Sequence, residues 1–367
     1  MMLTAIGLMS GTSLDGVDVA LIETDGKRVQ SFGPSGYRPY TDVERRLLLQ
    51  ALTEAVHLQE REARPGILLE AERVVTTAHA EAVASFKAQN RITSEDIDIV
   101  GFHGQTVLHR PAEKMTVQIG DAAALAKAIH IPVMHDFRAA DVAAGGQGAP
   151  LVPVYHRALA QALAREGPIV VLNIGGVSNI TYIDGDTLIA CDTGPGNALL
   201  DDFMHHATGQ RFDCDGRMAA QGTVDAAWIA ETLRDPFFAL PPPKSLDRND
   251  FAKRVLRNHL SPADGAATLT AFTAAAIAKV VPLLPKRPQG WVVAGGGARN
   301  LTMMRMLREH LHPASVEAAD ALGWSTDAIE AQAFGFLAAR GLKGLPLSYP
   351  ATTGVPIPMT GGIVARP

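Results

Sequence analysis

The chain has 367 residues, too many for one ordinary core and suited to two domains. Its 47% apolar and 19% charged residues fit a packed globular protein, and a net charge of −5 argues against a nucleic-acid groove, where basic residues would cluster. The two cysteines, Cys191 and Cys214, are too few for a disulfide framework, so a reduced cytoplasmic compartment is expected.

Taken in chain order, the elements alternate between strand and helix, the pattern of α/β layers. Residues 6–8 and 17–22 are expected as strands around a small polar turn. No Lys or Arg precedes Lys27, so the opening lacks the charged start of a signal peptide. Apolar residues three and four apart predict helices over 41–57 and 65–89. Residues 97–102 read as a buried strand ended by the turn at 101–104, and 121–130 as a short helix. Residues 133–134 lead into a loop over 136–150, rich in Gly and Ala, and a helix follows over 152–165. The apolar run 169–174 then opens a second strand, turn and strand ending at 183. Residues 184–186 turn the chain into a third strand over 187–191. This repeats the form of the opening hairpin and points to an internal duplication. Pro241-Pro-Pro243 and Pro262 mark loops. The weakly charged run 265–278 falls short of the roughly 18 apolar residues of a membrane span and reads as a buried helix. A buried strand over 291–294 runs into Gly295-Gly-Gly297. The last long helix is expected over 325–340, with Ser325 or Thr326 as N-cap.

Five segments carry side chains suited to chemistry. The first is the opening turn, where Gly11 and Gly16 let backbone amides approach a ligand and Ser10, Thr12, Ser13, Asp15 and Asp18 add oxygens. No Lys follows a glycine in the G-x-x-x-x-G-K-[ST] arrangement, so any phosphate here is held by a hairpin and not by the usual phosphate loop. Asp18 alternates with Val17 and Val19, so it reads equally as a solvent-facing strand residue or as a carboxylate near magnesium-bound water. The second is Asn173 to Asn179, a possible backbone nest for further phosphate oxygens. In the third, Asp192 is placed at the carboxyl end of a strand before a glycine turn and a helix, where it suits either a general base or a helix cap. The fourth, Gly295-Gly-Gly297, is a weak dinucleotide signal because G-x-G-x-x-G requires glycine where Asn300 stands; a nicotinamide oxidoreductase is disfavoured for that reason. The fifth is a polar set of His103, Gln105, Thr106, His109, Arg110, Gln118, Asp121, Asp136, Arg138, Asp141 and Gln147, whose many hydrogen-bonding groups suit a sugar. No H-x-x-x-H or H-E-x-x-H pair occurs among these histidines, so no protein metal centre is expected.

These residues fall in motifs that closely resemble the anhydro-N-acetylmuramic acid kinase family. The matching segments are Gly7-Leu-Met-Ser-Gly-Thr-Ser-Leu-Asp-Gly-Val-Asp18, Phe102-His-Gly-Gln-Thr-Val-Leu-His-Arg-Pro111, Gln118-Ile-Gly-Asp121, Asp136-Phe-Arg138, Gly145-Gly-Gln-Gly-Ala-Pro150, Asn173-Ile-Gly-Gly-Val-Ser-Asn179, Asp192-Thr-Gly-Pro-Gly-Asn197 and Gly295-Gly-Gly-Ala-Arg-Asn300. They span most of the chain in the family's order. The resemblance implies an α/β fold of two ribonuclease-H-like domains of the actin and sugar-kinase type, flanking a nucleotide- and sugar-binding cleft. The first domain is expected over 1–135, completed by the C-terminal segment, and the second over 136–367.

The resemblance also implies an activity. Water opens the 1,6-anhydro bridge of anhydro-N-acetylmuramic acid, and the freed 6-oxygen takes the γ-phosphoryl group of ATP with Mg2+. The products are N-acetylmuramic acid 6-phosphate and ADP, in peptidoglycan recycling. Asp192 matches the base. Gly11, Thr12, Ser13, Leu14, Asp15, Gly16, Val17 and Asp18 match the main phosphate loop, and Asn173, Gly175, Gly176, Ser178 and Asn179 the second. Gly295, Gly296 and Gly297 border the adenosine. His103, Gln105, Thr106, Asp121, Asp136, Arg138, Gln147 and Glu330 are sugar-side candidates. A homodimer is what the family implies, without nucleic acid or membrane partners. The alternative is a non-catalytic sugar- or nucleotide-binding regulator on the same fold. One segment departs from the family's Lys-Ser-Thr-Gly-Arg-Glu type: Lys244-Ser-Leu-Asp-Arg-Asn-Asp250 keeps Lys244, Ser245 and Arg248 only, which puts local substrate or loop contacts in question.

Overall fold

The computed structural model describes residues 1–247, 250–251 and 260–367. The chain forms two compact units, Met1–Leu163 with Ala328–Pro367, and Ala164–Asp327. The first opens with β1 (Leu3–Ser10), β2 (Gly16–Thr24) and β3 (Val29–Pro39), followed by α1 (Asp42–Ala55) and α2 (Leu68–Asn90). Then come β4 (Ile99–Arg110), β5 (Met115–Ile119), α3 (Ala122–Ile129), β6 (Val133–His135), α4 (Ala139–Ala143) and α5 (Pro153–Ala162). The second unit carries β7 (Ile169–Ile174), β8 (Val177–Asp184), β9 (Thr187–Pro195), α6 (Ala198–Thr208), α7 (Ala226–Thr232), α8 (Pro262–Ala278), β10 (Gly290–Ala294), α9 (Leu301–Leu311) and β11 (Ser315–Ala318). The chain returns to the first unit through α10 (Ile329–Leu342), α11 (Pro350–Thr353) and β12 (Ile363–Ala365).

The sheet order is β12-β6-β4-β1-β2-β3 in the first unit, with β5 on β4, and β11-β10-β7-β8-β9 in the second. In each, an antiparallel meander (β1-β2-β3 or β7-β8-β9) is extended on its first strand by two parallel strands (β4 and β6, or β10 and β11). The internal duplication is therefore one of topology, and each copy has its own apolar core.

Local chemistry explains most element starts. Thr41 and Glu44 form a capping box on α1, the Glu44 amide donating to Thr41 at 3.2 Å and the Thr41 amide to Glu44 at 2.7 Å. Asp121 caps α3 by accepting the Ala124 amide at 2.9 Å. Gly7 and Gly101 let α10 lie on β1 and β4 at backbone distance: a Cβ on either would strike the carbonyls of Ala331 or Phe334. Phe102, the next residue, points to the other face, where its ring meets His79 of α2 at 4.8 Å.

Several expectations are corrected. The chain divides after Leu163, not after 135. The 136–163 segment stays with the first unit because Asp141 accepts the Gly148 amide at 2.6 Å, the Thr353 hydroxyl at 2.6 Å and the Ser348 hydroxyl, and Tyr155 donates to Gln332 at 2.8 Å. The 136–150 loop contains α4. β3 went unpredicted because Gly33, Pro34 and Gly36 look like a loop; as an edge strand it tolerates them. β4 does not stop at the 101–104 turn. Gly104, at φ +70°, bends it away from β1 to pair with β5. Ala328 caps α10, while the Thr326 amide and hydroxyl are held by Asp320 at 3.0 and 2.8 Å. Residues 262–283 are long and apolar enough to cross a membrane by composition, yet most of this stretch is buried within the second unit, where α8 packs on α6, α9 and β9.

Candidate functional site

The second unit aligns its polar candidates by strand register. Asn173 pairs with Asn179, and Asn179 with Asp192, so three polar side chains stand in one row across β7, β8 and β9. Asp192 lies inside β9, an antiparallel edge strand, and not at a strand end before a helix. Asn197 starts α6, so the helix-capping role is excluded. The Asp192 amide donates to the Lys244 carbonyl at 2.9 Å, and its Oδ2 accepts the Leu246 amide at 2.7 Å. No described residue bonds Oδ1. Burial pushes the carboxyl up to about 6, against the opposing pull of the Leu246 amide and the Lys244 charge. A carboxylate in that range is matched to proton abstraction near neutral pH.

The segment that departs from the family's pattern is thus the one that holds Asp192. It does so through the backbone of Lys244 and Leu246, so substitution of the side chain at 246 leaves these bonds in place. Arg248 and Asn249 lie outside the described residues.

The turn at Gly175-Gly176 is tied down through its carbonyls, which accept the Asn197 and Gly196 amides at 2.7 and 2.9 Å. A Cβ on either glycine would meet nothing nearer than 3.7 Å, and neither has a positive φ. Packing within the unit does not demand glycine there; the Gly175 amide donates to the Val177 carbonyl at 3.2 Å, and the bare backbone at Gly176 permits close approach by an anion. The Gly295-Gly-Gly297 triplet differs. Gly295 is at φ +78°, a Cβ on it would come within 2.5 Å of Asn173 Oδ1, and one on Gly297 within 2.5 Å of Ile174. These two glycines serve the close crossing of β7. Gly296 alone of the three lines a cavity of about 380 Å³ walled by Asn197, Leu200, Asp201, Phe212 to Asp215, Arg299 and Asn300. Phe212 stands at this cavity 57% exposed. Ser178 is fully buried, its hydroxyl engaged with Thr193 at 2.7 Å and the Gly194 carbonyl at 3.0 Å, so it braces the hairpin from within.

In the first unit the turn 11–15 exposes Thr12, Ser13 and Asp15, with Gly11 and Asp18 half-buried. Ser13 donates to Asp15 at 2.7 Å, and a Cβ on Gly11 would meet only Ser13, at 3.7 Å. Leu14 and Val17 are in the core, and Gly16 lies against Tyr37, so these three shape the turn from beneath. Asp18 pairs with Tyr37 across β2 and β3.

Gln105, a sugar-side candidate, is instead fully buried. Its Oε1 accepts the Ser10 hydroxyl at 2.6 Å and its Nε2 donates to the Gly11 carbonyl at 3.2 Å, which anchors the start of the turn. His103 is also buried. Its Nδ1 donates to the Gly104 carbonyl at 2.8 Å, its Nε2 accepts from Arg138 at 2.9 Å, and burial with the Arg138 charge holds the ring neutral. Arg138 further donates to the Gly148 carbonyl at 2.8 Å, and burial lowers it to about 10 despite the charges of Glu330 and Asp141. Burial of the carboxyl raises Glu330, with the Arg138 charge opposing, although the residue as a whole keeps solvent-accessible surface on the first turn of α10. Asp136 sits at φ +58° and accepts from Arg61 at 2.8 Å. A cavity of about 330 Å³ brings together His103, Gln118, His135, Asp136, Arg61 and Arg64. Thr106 accepts from Gln118 at 3.2 Å, Gln147 is exposed, and Asp121 is the exposed cap of α3. Arg61 and Arg64 line this cavity without any sequence motif to mark them, since they fall between the helices expected over 41–57 and 65–89. Among the described residues, no three His, Cys, Asp or Glu side chains gather as a metal site.

Two copies of one sheet order, each with a polar hairpin turn, define a duplicated ribonuclease-H-like α/β protein. A family model described as anhydro-N-acetylmuramic acid kinase matches residues 3–366. Curated relatives of that description include proteins from Bradyrhizobium diazoefficiens, 79% identical, and Rhodopseudomonas palustris, 78% identical, each match covering the whole of both chains. The chain belongs to the anhydro-N-acetylmuramic acid kinase family. It also resembles the solved ROK family glucokinase from Streptomyces griseus in complex with glucose and AMPPNP, at 14% identity and a TM-score of 0.40, over 92% of this chain and 99% of that one.

Proposed function

We propose that this chain is an ATP-dependent kinase that hydrolytically opens 1,6-anhydro-N-acetylmuramic acid and phosphorylates its 6-oxygen. The products are N-acetylmuramic acid 6-phosphate and ADP. The family supports the substrate and the reaction class. The observation that carries the chemistry is Asp192: a carboxyl raised to about 6, fixed by one oxygen and bonded by no described residue at the other, in a row with Asn179 and Asn173.

In this reading Asp192 Oδ1 takes a proton from the water that attacks the anomeric carbon. The bond from that carbon to the 6-oxygen breaks, and the freed oxygen accepts the γ-phosphoryl group as ADP leaves. Phosphoryl transfer asks mainly for positioning and charge stabilisation. Gly175 and Gly176, with Asn173 and Asn179, would hold phosphate oxygens in the second unit. Gly11, Thr12, Ser13 and Asp15 would do so in the first. The cavity at Gly296 suits the adenosine, with Phe212 as an apolar wall. Mg2+ fits as an ion carried on the nucleotide, because it keeps several waters and needs only one or two carboxylates; Asp15 and Asp18 are the candidates. Bound, it would neutralise phosphate charge. On the sugar side, Arg138 and Glu330, braced by His103, and the cavity at Asp136 would contact hydroxyl, acetamido and carboxylate groups. A cytoplasmic homodimer is part of the same proposal.

The test is Asp192→Asn. Turnover should fall about a thousandfold, while ATP affinity, read by calorimetry, stays within about threefold. Near-normal product formation by that variant would remove Asp192 as the base.

A further inference from the structure

We propose that Lys244 is a positioning residue for the reaction, fixing the Asp192 carboxylate through the segment 244–246. This rests on the reading of Asp192 as base. The segment grips Asp192 twice, the Lys244 carbonyl accepting its amide at 2.9 Å and the Leu246 amide donating to its Oδ2 at 2.7 Å. What holds the segment is the Lys244 side chain. Its Nζ donates to the Phe237 carbonyl at 2.9 Å and lies 4.5 Å from the centre of the Phe237 ring. Phe237 is itself wedged against Phe238 at 5.5 Å, and Phe238 against Phe251 and Phe272 at 5.5 and 6.1 Å. An aromatic cluster thus reaches the carboxylate through one half-buried lysine.

Lys244 also sets the local charge. Among the described residues, the titratable groups acting around Asp192 are Lys244, from the segment, and the Cys191 thiol beside it on β9, which burial pushes up to about 12. From β8 comes only the uncharged Asn179. Among the described residues, Lys244 is therefore the cation that favours the ionised form of Asp192, while burial opposes it. A lysine with a merely structural role would have no bearing on the protonation of that carboxylate.

The experiment is the pH dependence of kcat in the full-length protein for wild type, Lys244→Met and Lys244→Gln. Lys244→Gln keeps a donor for the Phe237 carbonyl and loses the charge. Both variants should move the acid limb upward by about one pH unit, which lowers kcat about fivefold at pH 6, with the KM for ATP unchanged. Lys244→Met should lose more than Lys244→Gln on the alkaline plateau, because it also frees the segment. A folded variant, Met or Gln, whose acid limb stays at the wild-type position would overturn the proposal. Asp192→Asn separates the two readings. If it retains turnover, the base assignment fails; if it is inactive while both lysine variants keep the wild-type profile, only the role of Lys244 fails.

Discussion

The turn between β1 and β2 takes five residues, 11–15, whereas the turn between β7 and β8 takes two, Gly175 and Gly176. Both join the first two strands of the same sheet order. The longer turn gains hydroxyls and a carboxylate, in Thr12, Ser13 and Asp15, and needs Leu14 and Val17 in the core and Gln105 beneath to hold its shape. The shorter one offers backbone only, but leaves its strands in register so that Asn173, Asn179 and Asp192 line up beside it. The two units thus share one scaffold, and turn length decides which copy displays turn side chains and which displays bare backbone beside a polar row on its strands.

This contrast can be broken at the glycines. Gly176→Ala and Gly11→Ala should fold with wild-type melting temperatures, since a Cβ at either meets nothing nearer than 3.7 Å, yet weaken ATP binding about tenfold to a hundredfold. Gly297→Ala should do the reverse, costing about 1–3 kcal/mol of stability because its Cβ would press on Ile174. Calorimetric ATP titration beside thermal denaturation checks all three. Loss of fold in Gly176→Ala would mean that packing, not ligand approach, explains that glycine.

The units should also differ in acid. Burial lowers His79 and His156 to about 4 and holds His103 well below its usual value, and all three are in the first unit. A histidine whose pKa is depressed in the fold contributes stability above the unfolded value near 6.5, and loses it as pH falls toward 4. Each is worth on the order of 1–3 kcal/mol over that window. The three tryptophans, Trp228, Trp291 and Trp324, all report on the second unit. Between about pH 6 and pH 4, far-UV circular dichroism should therefore decline before tryptophan fluorescence changes. Coincident transitions would contradict the asymmetry.

The smallest expected effect is at Phe212. Being 57% exposed, it should tolerate Ala within about 0.5 kcal/mol, while ATP affinity falls about threefold to tenfold through loss of an apolar wall. An unchanged affinity would place the adenosine elsewhere.

Much of this was legible in the sequence. Alternating strands and helices, the paired hairpins and the polar motifs all announce themselves through apolar runs and glycine. What was not legible follows from tertiary packing. Gln105 and Ser178 look like ligand groups because they are polar and lie in motifs, but their partners, Ser10 and Thr193, come from neighbouring strands. β3 hides behind Gly33-Pro34 because an edge strand does not need the missing donor. The Gly295 triplet suggests a ligand loop, yet two of its glycines answer to the proximity of β7. The segment at Lys244 seemed only a departure from a pattern, and its grip on Asp192 is through backbone atoms that side-chain identity does not disclose.

The most direct measurement combines the protein, Mg-ATP and anhydro-N-acetylmuramic acid in heavy-oxygen water, followed by mass analysis of the sugar product. The account predicts a sugar phosphate that has gained one heavy oxygen at the anomeric position, with one ADP formed per sugar. A phosphorylated sugar without the heavy oxygen, or ADP released without a sugar phosphate, would contradict it.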